Sequence, residues 1–306
     1  MKGKEGNVKI GPNIYFYYWT IPLFFVFLLL NYYSRNFRIE TLDIDLMISI
    51  VSFLFGFLIT ISFSMLLTRV AALKEALAGE TGRLVSLYHL SKNLGEKFHK
   101  KVADKIDDYT KKTLGFYTNY ELGREEIYGM YDDLDSMEIK NDKQGAIVNS
   151  FLYVLGELEP IREKLEYLTG RRMEWSLKFS NYVLGIILVV LLFLNRGDSF
   201  TNTLFIILST IIVFIFLIIE DYDSLRIGDY ISNISNSEQI FDMLGRNRYY
   251  PQSVLERVRL ESGKTYRIGI YNKHKKEEQI FDIVYSQTFD ARIKRLLKVL
   301  GRKNNN

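Results

Sequence analysis

The sequence predicts an all-α integral membrane protein: four transmembrane helices in two hairpins, a helical cytoplasmic layer and a small mixed α/β C-terminal region. Three observations carry this expectation. The 306 residues are 48% hydrophobic and 25% charged, yet the two kinds are segregated along the chain into apolar blocks and charged segments. The apolar blocks come as two pairs, each joined by a short connection, residues 34–43 in the first pair and 196–199 in the second. Between the pairs lies a long hydrophilic segment with a helical apolar rhythm.

The stretch DLMISIVSFLFGFLITISFSMLLTR, residues 45–69, is uncharged from 46 to 68. At roughly 1.5 Å per residue, a helix of that length crosses a hydrocarbon core of about 30 Å. Ser52, Gly56, Thr60, Ser64 and Thr68 recur every fourth residue and form a band of small or hydroxylated side chains along one side. Such a band admits a close neighbouring helix. Phe53 and Phe57 stack beside it, where they pack against lipid and neighbours or, on a pore-facing side, form a hydrophobic constriction.

The first apolar block, residues 14–33, follows a tail containing Lys2, Lys4 and Lys9, and has aromatic clusters at both ends that suit the membrane interface. It lacks a short apolar core with a small-residue cleavage site, so it reads as a retained span. After Arg69 the chain is hydrophilic for about a hundred residues. Ala72, Leu73, Ala76, Ala78, Leu84, Leu87 and Leu90 continue the second span as a long helix, with breaks expected at Gly95 and Gly115. Tyr109, Phe116, Tyr117 and Tyr120 suggest an aromatic face on the next helix, and residues 125–137 a third. NDKQG, residues 141–145, reads as a turn before a helix from Ala146, which Pro160 should kink or end. Glu157, Glu159, Glu163 and Glu166, interleaved with Arg162 and Lys164, look like a solvated face.

The third span covers residues 181–195, extended at its start by Trp175 and Phe179, and the fourth residues 200–219. An amphipathic helix is expected to about Leu244, interrupted at Gly228 and ending near Gly245. Residues 248–285 change character to alternating and β-branched runs broken at Ser262, Gly263 and Asn272, hence two or three short strands. Ile293, Leu296, Leu297 and Leu300, with basic residues between them, make an amphipathic tail. The segments are residues 1–13, an N-terminal cytoplasmic tail; 14–69, the first transmembrane hairpin; 70–178, the cytoplasmic helical region; 179–219, the second hairpin; and 220–306, the cytoplasmic C-terminal region.

Basic residues set the orientation. The tail, the middle segment and its far end with Arg162, Lys164, Arg171, Arg172 and Lys178 outnumber the opposite loops, which offer Arg35, Arg38 and Arg196. Both termini are therefore expected in the cytoplasm of a multi-pass cell-membrane protein. The net charge of +4 suits anionic lipid headgroups better than nucleic acid, for which no motif is present. Absence of Cys excludes disulfides, thiol catalysis and thiolate metal sites. His89, His99 and His274 lack zinc spacing, and GKT at Gly263 lacks the upstream glycines of a phosphate loop. No enzyme and no cofactor is expected.

The order of parts resembles the bestrophin-like membrane proteins of prokaryotes, distant relatives of the bestrophin anion channels. The resemblance rests on Gly56 and Phe57 in FLFGF, on Ala76, Glu80, Leu84, Leu87 and Tyr88 after the second span, and on Arg171 and Arg172 before the third. It covers roughly residues 45–228, where order and spacing carry it rather than one motif. The chain departs from the family pattern after the fourth span, reading EDYDSLRIGDY without the expected proline, and has about one extra helical turn between Gly56 and Arg69. The resemblance implies a homo-oligomeric channel, pentameric as in true bestrophins, with the second span lining the pore. Phe53 and Phe57 then match neck positions, Ser49 a third that is usually apolar, and Gly56, Thr60 and Ser64 complete the pore face. Glu220, Asp221 and Asp223 are weak metal candidates by the same implication, since Ca²⁺ wants six to eight oxygens; the plainer reading is a polar end to the span, with Arg226 and Asp229 paired locally. Arg171 and Arg172 attract anions or hold lipid phosphates. The alternative function is a membrane-anchored sensor or scaffold whose cytoplasmic helices bind a protein partner.

Overall fold

The computed structural model describes residues 18–34, 44–115, 123–225, 229–252, 255, 258, 260–272 and 277–285. Its elements are α1 (Thr20–Tyr33), α2 (Ile44–Ser91), α3 (Glu96–Gly115), α4 (Arg124–Asp135), α5 (Asp142–Gly170), α6 (Trp175–Leu194), α7 (Ser199–Asp223), α8 (Asp229–Met243), β1 (Tyr249–Pro251), β2 (Thr265–Asn272) and β3 (Glu277–Val284). They form two compact units: residues 1–73 with 171–230, and residues 74–170 with 231–306.

The first unit holds the apolar helices. Three helical stretches are long and apolar enough to cross a membrane: Ile44–Ser91, Asp142–Leu194 and Ser199–Asp223. The apolar part of the second is α6. α1 is apolar but has 14 described residues, and the start of the expected first span lies outside the described residues. α1 and α6 both pack on α7. Their shared core contains Phe27, Phe55, Leu188, Leu192, Phe205 and Ile212. Phe205 is gripped edge-on by Phe27 at 5.7 Å and Phe193 at 5.6 Å, and Phe216 by Tyr182 at 4.9 Å and Phe55 at 6.0 Å. Residues 195–198 join α6 to α7, and the Asp198 carboxylate starts α7 by accepting from the Phe200 and Thr201 amides at 2.7 and 2.8 Å.

Gly185 lets α6 come close to α7. A Cβ there would meet Phe216 Cε2 at 2.9 Å and Ile212 Cγ2 at 3.2 Å, with Phe216 Cζ nearer still. Phe216 is held edge-on by both Tyr182 and Phe55. Gly185→Ala is therefore expected to cost about 1–3 kcal/mol as overpacking, read as a lower apparent Tm in detergent.

The second unit is a helical layer with a small sheet. Its core runs through Leu84, Leu87, Phe98, Val102, Ile106, Tyr109, Ile127, Met130, Phe151, Leu155 and Leu158. Gly95, at φ 109°, makes the break between α2 and α3 that an L side chain would resist, and the expected break at Gly115 falls where the described residues stop. The rest of the expected aromatic face, Phe116, Tyr117 and Tyr120, lies outside the described residues, as does the amphipathic tail. NDKQG is a helix start rather than a free turn. Asn141 Oδ1 accepts the Gln144 amide at 2.9 Å while Gln144 Oε1 accepts the Lys140 amide at 3.0 Å, so α5 begins at Asp142, four residues earlier than expected. α5 then continues past Pro160 to Gly170.

β1 pairs parallel with β2, and β2 antiparallel with β3, in the order β1-β2-β3. Two devices fasten the sheet. Tyr250 donates to Glu238 Oε1 at 2.6 Å, and Arg248 pairs with Glu238 and Asp242, tying β1 to α8. Arg267 of β2 forks onto Asp107 of α3 with two bonds of 2.7 Å. Arg246 reaches the same carboxylate at 2.9 Å and Lys111 at 3.1 Å. The Asp107 side chain is buried.

Candidate functional site

Three places carry the chemistry of this chain. The first is one face of α2. Ser49, Phe53, Gly56, Phe57, Thr60 and Ser64 are all exposed, Phe53 by 73% and Phe57 by 59%. The opposite face carries Phe55, Ser62 and Leu66, which are buried. With 3.6 residues per turn these two sets fall on opposite sides of the helix. The exposed face is mixed: two aromatic rings and the exposed Leu46 and Leu67 stand among hydroxyls and a glycine that leaves open space at its Cα. The Ser49 and Thr60 hydroxyls donate to the carbonyls of Asp45 at 2.9 Å and Gly56 at 2.8 Å, so neither needs a partner outside the helix. On the inner face, Asn181 of α6 donates to Ser62 Oγ at 2.6 Å.

The second place is the end of α7. Asp223 is buried, and its oxygens accept from the Met173 amide at 2.6 Å and from Lys178 Nζ at 3.0 Å. Lys178 also pairs with Glu220, which accepts the Tyr182 hydroxyl at 3.3 Å. Arg69 donates to the Asp223 carbonyl at 3.0 Å and stands 3.8 Å from its carboxylate. Asp221 is buried on the same helix. The suggested local partners, Arg226 and the Asp229 side chain, lie outside the described residues. An ammonium therefore occupies the space between Glu220 and Asp223, and the set that Ca²⁺ would need is short of oxygens. Among the described residues no three His, Asp or Glu side chains converge as a metal-binding group. Arg171 and Arg172 are exposed just before α6, followed by exposed Trp175 and Phe179, whose rings lie 6.1 Å apart.

The third place escaped the sequence reading. Arg162 does not belong to a solvated face; it is 6% exposed, as is Glu80. Tyr109, buried between them, donates its hydroxyl to Glu80, and the Arg162 guanidinium lies 5.4 Å from the Tyr109 ring centre. Glu80 stands beyond the uncharged part of α2, in the second unit. Burial pushes its carboxyl up to about 7, although the Tyr109 hydrogen bond and the Arg162 charge pull the other way. A signal for this cluster was present: Leu73, Leu77, Glu80, Leu84 and Leu87 alternate by four and three, as do Leu155, Leu158, Arg162 and Leu165. Each charged residue therefore occupies a core-facing position of its helix.

A family profile described as a Bestrophin-like domain matches residues 21–226. The chain belongs to the Bestrophin-like family. The match takes in α1 to α7 and ends before α8, so the sheet lies beyond the Bestrophin-like domain. Solved structures agree in fold. One variant of a bacterial bestrophin homologue from Klebsiella pneumoniae is 8% identical, covers 76% of this chain and 99% of its own, and superposes with a TM-score of 0.57. Another variant of that homologue is 11% identical over 74% of this chain and 98% of its own, at 0.58. A structure described as a membrane protein reaches 0.60 at 10% identity, covering 75% and 98%. Comparison with curated proteins finds no match. With its membrane-length apolar helices, this Bestrophin-like chain is a membrane protein.

Proposed function

We propose that this Bestrophin-like protein is a homo-oligomeric ion channel whose pore is lined by the exposed face of α2. One observation carries the reading. In a helix bundle that buries Phe55, Ser62 and Leu66 inward, the outward face of α2 mixes hydroxyls and glycine with two exposed phenylalanines. Lipid alone gives no reason for that mixture, whereas a pore wants small polar side chains along its length and an apolar constriction that gates by wetting. A ring of subunits, five as in true bestrophins, would turn Phe53 and Phe57 toward a common axis, with Ser49, Gly56, Thr60 and Ser64 above and below. The first apolar block completes a four-span chain in two hairpins. Both termini face the cytoplasm, in the cell membrane, and Arg171 and Arg172 draw anions toward the pore or hold lipid phosphates.

A second reading has its own support. Because Ser49 and Thr60 satisfy their hydroxyls within the helix, the same face is compatible with lipid, and the chain would then be a membrane-anchored scaffold whose helical layer binds a protein.

Flux through purified protein in liposomes separates the two. Under chloride and potassium gradients, Phe53→Ala and Phe57→Ala should raise flux by about tenfold, the effect of removing about 1.4 kcal/mol from a wetting barrier. The gradient that drives it identifies the permeant ion. A folded, inserted protein that is monomeric in mild detergent and passes no ion under either gradient would sink the channel reading and leave the scaffold.

A further inference from the structure

The sheet lies beyond the Bestrophin-like domain, and its outer strand is left partly uncovered. Side chains alternate between the two faces of a strand, so Thr265, Arg267 and Gly269 of β2 share a face with their cross-strand partners Val284, Asp282 and Ile280 of β3. Over β2 that face is packed, since Arg267 reaches Asp107 of α3 and lies 4.9 Å from the Phe241 ring centre of α8. Over β3 it is open. Ile280 is 44% exposed and Val284 59%, and Asp282 between them is exposed too. β3 runs for eight residues at the rim of the sheet with neither Pro nor Lys, the residues that often blunt an edge.

We propose that this ledge is the docking surface for the amphipathic tail of the same chain, residues 290–300. The lengths agree. As a helix rising about 1.5 Å per residue, the apolar stripe from Ile293 through Leu296 and Leu297 to Leu300 covers about 10 Å. The ledge from Ile280 to Val284 covers about 13 Å, at about 3.3 Å per residue of strand. The charges agree as well. The sequence of β3 holds Glu277, Glu278 and Asp282 and no basic residue, whereas the tail sets Arg292, Lys294, Arg295 and Lys298 beside its stripe against one acidic residue, Asp290.

The route is short. Tyr285 is still tied to Lys264 and Gly263 at the end of the strand, and only residues 286–289 separate it from the tail, a usual length between a strand and a helix. The tail therefore turns back along β3, with Ile293 over Val284 and Leu300 over Ile280. Such a tether holds the tail at an effective concentration in the millimolar range, which favours the chain's own strand over that of a second copy. Docked there, the tail closes the open face of the sheet and lays its basic residues along the acidic strand.

The chain has no Cys, so introduced thiols report without background. In the full chain in detergent, Ile280→Cys combined with Leu300→Cys should form an intrachain disulfide on oxidation, seen as a monomer on a non-reducing gel with both thiols lost to maleimide. Gln279→Cys combined with Leu300→Cys should not, because Gln279 stands on the other face of the strand. With Ile280→Cys alone, adding Leu296→Asp and Leu297→Asp should speed maleimide labelling about tenfold, the release of a contact worth about 1.4 kcal/mol. Labelling of Gln279→Cys should not change. A cross-linked dimer in place of the intrachain bond assigns the ledge to a second copy and overturns the proposal. So does a Leu300→Cys thiol that is protected only when phosphatidylglycerol vesicles are present, which puts the tail on lipid. Equal labelling of Ile280→Cys with and without the two aspartates also overturns it, and this measurement decides alone should the paired variant fail to fold.

Discussion

Asp107→Ala should lower the unfolding free energy of the helical unit by about 3–5 kcal/mol, the usual cost of removing one partner from a buried charge pair. Two arginines and a lysine meet at this carboxylate, and its side chain is only 2% exposed. Arg246 retains Asp104, but Arg267 loses its two carboxylate bonds and keeps, among the described residues, the Asn247 carbonyl at 2.7 Å and the Phe241 ring at 4.9 Å. The sheet should consequently come away from α3 before the helices separate, so limited proteolysis should cut within residues 245–285 at protease levels that spare the unsubstituted protein. Burial alone would raise the Asp107 carboxyl; the Arg267 hydrogen bonds and charge, helped by Lys111, more than offset it and hold the group below its ordinary 3.8. The anchorage is therefore fully present above pH 3.8 and lost as pH falls through the depressed value. Proteolysis of the unsubstituted sheet should rise in acid over that window, while Asp107→Ala is already cut at neutral pH and changes little. Equal resistance of the two proteins at pH 7 would show that the sheet does not depend on this carboxylate.

The second large effect is expected at Arg196, between α6 and α7. Its guanidinium donates to the Phe193 carbonyl at 2.6 Å, to Ser34 Oγ at 2.9 Å, to Asn31 Oδ1 at 3.3 Å and to the Ser34 carbonyl at 3.4 Å. It also lies 3.7 Å from the Phe193 ring centre and 5.3 Å from that of Phe205. The C-terminal ends of α1 and α6 meet here, and both present carbonyls that want a cation. Arg196→Ala strands those acceptors at a site where Arg196 is 5% exposed, for a loss of about 2–4 kcal/mol. Arg196→Lys keeps the charge but not the fork and should recover about half. Apparent Tm in detergent measures both, and a Lys variant no better than Ala would assign the effect to the planar geometry rather than the charge.

What the sequence disclosed and what it hid divide along physical lines. The membrane-length helices were legible because charge is excluded from residues 46–68, 181–195 and 200–219, a constraint that acts locally and needs no partner. The breaks at Gly95 and Gly245 were legible for the same reason, since a left-handed backbone selects its residue on the spot. Arg196 was visible only as a topology signal, because its acceptors Asn31 and Ser34 lie more than 160 residues earlier. Glu157 to Glu166 looked like a solvated face because the charges were read in a row; read by helical position, Arg162 falls in line with Leu158 and Leu165. Asn141 has the composition signal of a turn and is a cap, two roles that the same side chain fills by the same hydrogen bond. The band of small residues on α2 follows from four-residue spacing alone, whereas its assignment to a pore lining comes from the family resemblance.

The Asp107 anchor also has a history within the life of each chain. Arg267 is 160 residues downstream of the carboxylate it forks, so at about 5–20 residues per second the ribosome needs roughly 10–30 s to deliver it. For most of that interval, until Arg246 emerges, the face of α3 that will carry the sheet lacks both arginines. Lys111, one helical turn away at 3.1 Å, is available from the moment α3 forms. It gives the young helix a provisional counter-ion, and the arginines of the late-arriving sheet then complete a site that was already half neutral.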